Sequence, residues 1–185
     1  DETSKASFVA SDLLSQAEHG TDSQVLLITT SDRVAEEVNI EIERQLKELP
    51  RKEIASGSLN HSKIIVLNTM VDVIDMVNEY APEHLIIATD NAEHIAGQVI
   101  NAGSVFLGHY TPESAGDYAS GTNHTLPTNG YAKAYNGVNL DDYIKKITFQ
   151  SITNEGLENI GPAIMKMAET EELTAHSRAV AIRLK

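Results

Sequence analysis

The sequence predicts an α/β fold with a mostly parallel sheet and a small helical C-terminal tail. Three observations predict it. Short β-rich apolar runs alternate with helix-period segments as far as Leu107. Periodicity then lapses across a stretch carrying Gly108, Gly116, Gly121, Gly130 and Gly137. Helix signals return from Ile152 to the end of the chain. Strands that alternate with helices need crossover connections, which place helices over the faces of a parallel sheet.

Taken in order, Phe8 to His19 is predicted as a helix, with Phe8, Val9, Leu13 and Leu14 on its apolar stripe and Gly20 stopping it. Val25 to Ile28 suits a buried strand. Ser31 or Asp32 caps the next helix, where Val34, Val38, Ile42 and Leu46 recur every four residues until Pro50. Lys63 to Leu67 is a second strand, and a helix through Met70, Val73, Ile74 and Val77 follows. Leu85 to Ala88, a helix over Asn91 to Ile100, and Ser104 to Leu107 complete the alternation, an incomplete Rossmann-like layer domain. A long aperiodic stretch inside such a domain is usually functional or disordered, and its Tyr, Asn, His and Asp content favours function. Leu157, Ile160, Ile164 and Met167 line one tail helix, and Leu173, His176 and Val180 belong to a last one. A boundary near residue 138 is expected, giving an α/β site domain over 1–138 and a helical tail over 139–185.

The 185 residues are 41% hydrophobic, enough for one sizeable core, and no apolar run approaches the roughly 18 residues of a membrane span. A net charge of -13 repels phosphate backbones and anionic lipid, so neither nucleic acid nor membrane is an expected partner. The absence of cysteine excludes disulfides, thiolate zinc sites and thiol catalysis, and agrees with a reducing cytoplasm, the expected location. Any metal must therefore sit on His, Asp, Glu or Gln. The chain opens on Asp1, which leaves a cropped or processed piece open. There is no GxGxxG after a strand, no P-loop, no HExxH and no GxSxG.

Several side chains offer chemistry, each against a plainer role. Gln16 and His19, three apart near a helix end, share a face and could ligate a metal; spacing alone favours a polar helix terminus. Glu83 and His84 stand beside Pro82 at the start of a strand, where acid and imidazole could divide proton transfer. Successive strand residues also point to opposite faces, one packed and one exposed. Asp117 and His124 lie among glycines that permit close backbone approach to a ligand, or an Asp-stabilised turn. Glu171, Glu172 and His176 fall in the final helical region, where Glu172 and His176, four apart, make a default surface pair. His61 and His94 are expected to face solvent, and His109, just after a strand, could border a site. Spacing and composition together describe an acidic α/β domain able to gather one oxygen/nitrogen metal site, without naming a reaction.

Four strings taken together go further. They are Asp12-Leu-Leu-Ser-Gln-Ala-Glu-His-Gly-Thr-Asp-Ser-Gln, Tyr80-Ala-Pro-Glu-His-Leu, Asn101-Ala-Gly-Ser-Val-Phe-Leu-Gly and Gly116-Asp-Tyr-Ala-Ser-Gly-Thr-Asn-His-Thr-Leu-Pro-Thr. In order and separation they resemble the later part of histidinol dehydrogenases, and the stretch from Glu171 through His176 to Arg183 resembles that family's C-terminus. The resemblance implies oxidation of L-histidinol to L-histidine through histidinaldehyde by two NAD, the last steps of histidine biosynthesis. It implies zinc on Gln16, His19, Asp117 and His176, with substrate nitrogens completing the shell and the metal orienting substrate without redox change. Glu83 and His84 resemble the acid/base pair, and His124 and Glu171 substrate contacts. The family commonly has Gly where Glu172 stands, and alignment to Leu173 and His176 prefers Glu171 over Glu172 as the contact. The resemblance also implies an intertwined homodimer with shared sites, and a coenzyme site mostly in the earlier part of a family chain, so that this chain alone is expected to lack activity. The rival expectations are a non-catalytic metal-binding α/β module and a zinc hydrolase with Glu83 as base; a Gln16 ligand tells mildly against the hydrolase.

Overall fold

The computed structural model describes residues 1–185, which form two compact units, Asp1–Tyr143 and Ile144–Lys185. The first unit is α/β. Its strands are β1 (Leu26–Thr29), β2 (Lys63–Val66), β3 (His84–Ile87) and β4 (Ser104–Leu107), and its helices are α1 (Ala6–Ala17), α2 (Asp32–Leu46), α3 (Lys52–Leu59), α4 (Met70–Tyr80), α5 (Ala92–Ala96) and α6 (Glu113–Tyr118). The second unit holds α7 (Asn154–Thr170) and α8 (Thr174–Ala181).

The strands form two parallel pairs. Leu26 lies opposite Lys63 in β1–β2, and His84 opposite Ser104 in β3–β4. Parallel pairing follows from a helical crossover between partners, α2 and α3 in the first pair and α5 in the second. One core gathers Val9, Leu14, Val25, Val34, Val38 and Ala55 from α1, α2, α3 and the start of the first pair. Another gathers Ile74, Ile87, Ala92 and Ile95 around β3. The Ser31 hydroxyl caps α2 by accepting from the Val34 N–H, and Thr69 caps α4 by accepting from the Asp72 N–H.

Several elements differ from the sequence expectation. Helix α1 closes at Ala17, so His19 stands beyond it, its N–H donating to the Gln16 carbonyl at 3.3 Å. Helix α3 has no sequence counterpart because its interior carries Gly57 and two serines, which are weak helix formers. Packing overrides propensity there: Ser58 is buried and its hydroxyl donates to the Ser23 carbonyl. Helix α5 is only five residues long because Gly97 takes its C-cap, so the segment to Ile100 is not helical. The aperiodic stretch after Leu107 is not all loop, since α6 lies in it.

Candidate active site

The Glu83–His84 pair is set by its backbone. Helix α4 ends on Ala81 in the left-handed region, φ 53°, and Pro82 prevents its continuation. The Gly103 N–H then donates to the Pro82 carbonyl and the Ser104 N–H to the Glu83 carbonyl, both at 2.9 Å. A Cβ at position 103 would lie 2.5 Å from the Glu83 carbonyl oxygen, so glycine is required for this approach. His84 is the first residue of β3, one position earlier than the alternating pattern suggests.

The His84 ring stacks on Phe106, with centroids 6.1 Å apart and an interplanar angle of 29°. Phe106 also seats α6: a Cβ on Gly116 would come within 2.7 Å of its ring, so only glycine lets the helix lie this close. Glu113 and Asp117, one turn apart on α6, are thereby carried to His84. Glu113 Oε1 is 3.8 Å from His84 Nε2, and the Glu113 side chain is only 2% exposed. Burial holds the His84 imidazole below its ordinary pKa, against the opposing pull of Glu83 and Asp117, and with a further push from His19 and His124. That balance favours a neutral ring with a lone pair available to a proton or a metal.

Glu113 is the residue sequence reasoning missed. Burial raises its carboxyl above the ordinary range, Gln16 draws it down, and Asp117 raises it again. Its Oε2 accepts from the Ser15 hydroxyl at 3.3 Å. Its Oε1, Gln16 Nε2 and His84 Nε2 are all buried without a hydrogen-bond partner. The signal available in the sequence was Pro112 followed by carboxylates four apart, a helix start with both acids on one face.

His19, Glu113 and Asp117 each offer one ligand atom, and these atoms lie within 4.8 Å of one another. Imidazole and carboxylates in this spacing suit a divalent ion that accepts nitrogen and oxygen donors. The orphaned Oε1 of Glu113 fits the same conclusion, because buried polar groups otherwise find partners. The first unit thus gathers Gln16, His19, Glu83, His84 and Asp117, with exposed His124 in electrostatic reach of His84. Gln16, Glu83, His84 and Glu113 border a cavity of about 1040 Å³ lined also by β1, β3 and α4. Glu171 and His176 belong to the second unit and are exposed there, Glu171 as the C-cap of α7 and His176 within α8. His61 and His94 are exposed, and His109 meets Asp90 at 3.0 Å. No helix is long and apolar enough to cross a membrane.

Comparison with known proteins gives one answer throughout. The family model for histidinol dehydrogenase matches residues 1–184. A histidinol dehydrogenase of Bacteroides thetaiotaomicron is 63% identical over 177 residues, covering 96% of this chain and 41% of the relative. A chloroplastic histidinol dehydrogenase of Arabidopsis thaliana is 54% identical, covering 100% of this chain and 40% of the relative. The crystal structure of histidinol dehydrogenase from Elizabethkingia anophelis superposes with a TM-score of 0.93 at 58% identity, over 98% of this chain and 42% of that one. The chain therefore spans about two fifths of the length of these relatives.

Proposed function

The chain belongs to the histidinol dehydrogenase family, and from that premise we propose that the whole protein oxidises L-histidinol to L-histidine through histidinaldehyde, using two NAD, as the last steps of histidine biosynthesis in the cytoplasm. This chain supplies the metal-holding and proton-handling part. The coenzyme site lies mostly in the family's earlier part, so the chain alone is expected to be inactive. A Rossmann-like layering of the whole domain belongs to the same reading, in which 1–138 is the site domain.

The observation that carries the proposal is a half-buried His84, favoured in its neutral form, beside Glu83 and a cluster of nitrogen and oxygen donors. Gln16, His19 and Asp117 would hold zinc, with His176 as the fourth ligand. Zinc, when bound, supplies a Lewis acid that fixes the amino and imidazole nitrogens of histidinol. His84 takes the hydroxyl proton; NAD, when bound, would supply the acceptor for the hydride released from the carbinol carbon. Glu83 takes a proton from the water that adds to the aldehyde, and His84, after releasing its first proton to solvent, takes the hydroxyl proton of the hydrate. His124 and Glu171 bind substrate. The tail from 139 is exchanged within a homodimer so that two sites are shared; support comes from apolar side chains left exposed at Tyr143, Ile147 and Phe149, the last 90% exposed.

Stepwise assays of the full-length enzyme with histidinol and with histidinaldehyde test the roles. Glu83→Gln is expected to slow aldehyde oxidation more than alcohol oxidation, and His84→Asn to impair both, each by about 100-fold to 10,000-fold where a proton transfer is lost. Equal losses in both steps for Glu83→Gln would remove Glu83 from water activation.

A further inference from the structure

We propose that Glu113 is a positioning residue that accepts a hydrogen bond from the Gln16 amide nitrogen and so turns the Gln16 amide oxygen toward the metal. The inference rests on the ligand role given to Gln16 above. A glutamine side chain binds a cation through its oxygen only, and the two ends of its amide are otherwise nearly interchangeable in shape. Whichever group satisfies the nitrogen decides which end faces the ion.

Three observations single out Glu113. Its carboxylate is 2% exposed and anchored by one oxygen to the hydroxyl of Ser15, the residue preceding Gln16 on α1. Its other oxygen is a buried acceptor without a partner, and Gln16 Nε2 is a buried donor without a partner. The two groups are also close enough that Gln16 offsets part of the effect of burial on Glu113. A buried donor left unmatched is costly, so the pair has a strong reason to close once the amide oxygen is engaged. A carboxylate behind an amide also increases electron density on the amide oxygen, which makes it a better ligand, as second-layer carboxylates do for ligating histidines. Glu113, which could itself reach an ion with His19 and Asp117, then engages the amide instead and stands one layer back, leaving the ion to the other two.

The experiment is a double-mutant cycle on zinc affinity in the full-length enzyme, measured by competition with a chromophoric chelator. The variants are Glu113→Met, Gln16→Ala and both together, with Glu113→Leu standing in should the Met variant fail to fold. Glu113→Met is expected to weaken zinc binding about 10- to 100-fold. In the Gln16→Ala background the same change should add little, because the residue through which Glu113 acts has gone. Glu113→Gln retains an acceptor oxygen and is expected to stay within a few fold of wild type. Full affinity in Glu113→Met, with Gln16→Ala weakened, overturns the positioning role and leaves the ligand assignment standing. Losses that multiply in the double variant overturn it too, since Glu113 would then be acting independently of Gln16. If Gln16→Ala binds zinc as wild type does, the ligand assignment falls, and the positioning role with it.

Discussion

Asp12 and Glu113 are carboxyls that share a poorly hydrated neighbourhood, and the consequence shows most clearly at Asp12. Burial, and then repulsion from Glu113, pushes the Asp12 carboxyl up to about 6. Its folded form therefore binds a proton more tightly than the unfolded chain does. The stability linked to that proton is fully present below the unfolded value near pH 4 and is lost as the pH rises through about 6. Asp12→Asn removes the ionisable group, so in metal-free full-length protein it is expected to raise the melting temperature at pH 7.5 and to give little gain at pH 4.5. A gain of the same size at both pH values would contradict the electrostatic account. At this scale the sequence was uneven. Gln16, His19, Glu83, His84 and Asp117 stand out through family strings, whereas Glu113 does not, because a carboxylate betrays its burial only after α6 is seated on Phe106.

Helix ends decide where several of these residues sit. Helix α7 closes with the Leu173 N–H donating to the Ala168 carbonyl at 2.8 Å and the Glu172 N–H to the Glu169 carbonyl at 3.1 Å. This is a Schellman motif, and its left-handed position is Glu172, with φ 61°. The position is thus the one where the family resemblance expects glycine, and the conformation gives the reason. A non-glycine residue there costs about 1–2 kcal/mol, and glycine returns about 0.5–1 kcal/mol of that as extra chain entropy in the unfolded state. Glu172→Gly is therefore expected to stabilise the full-length protein by about 0.5–1 kcal/mol, read from urea unfolding. A loss of stability would mean that the Glu172 side chain makes contacts that outweigh the strain. The longer elements were legible because α1, α2 and α4 bury regular stripes with caps or stops at their ends. Helices α3 and α6 were not, since α3 rests on buried serine contacts and α6 spans six residues, too short for periodicity to register.

For the whole molecule, the alternation of strands and helices announced the α/β class and the parallel pairing, while the division into two separate pairs was beyond the reach of a periodic pattern. Strand order depends on which faces meet in space, and a hydrophobic run carries no label for its neighbour. The role proposed for His176 is of the same kind: its place on α8 is plain, but its membership of a shared site is a statement about assembly. Gln16, His19, Asp117 and His176 are proposed to hold a zinc ion on which histidinol oxidation depends. This assignment is tested most directly on the full-length protein by measuring bound zinc together with histidinol-dependent NADH formation, before chelation, after it, and after zinc is restored. About one zinc per subunit is expected, with loss of NADH formation on removal, recovery on return, and no recovery in Asp117→Ala. Undiminished NADH formation in protein verified to be free of metal would contradict the assignment.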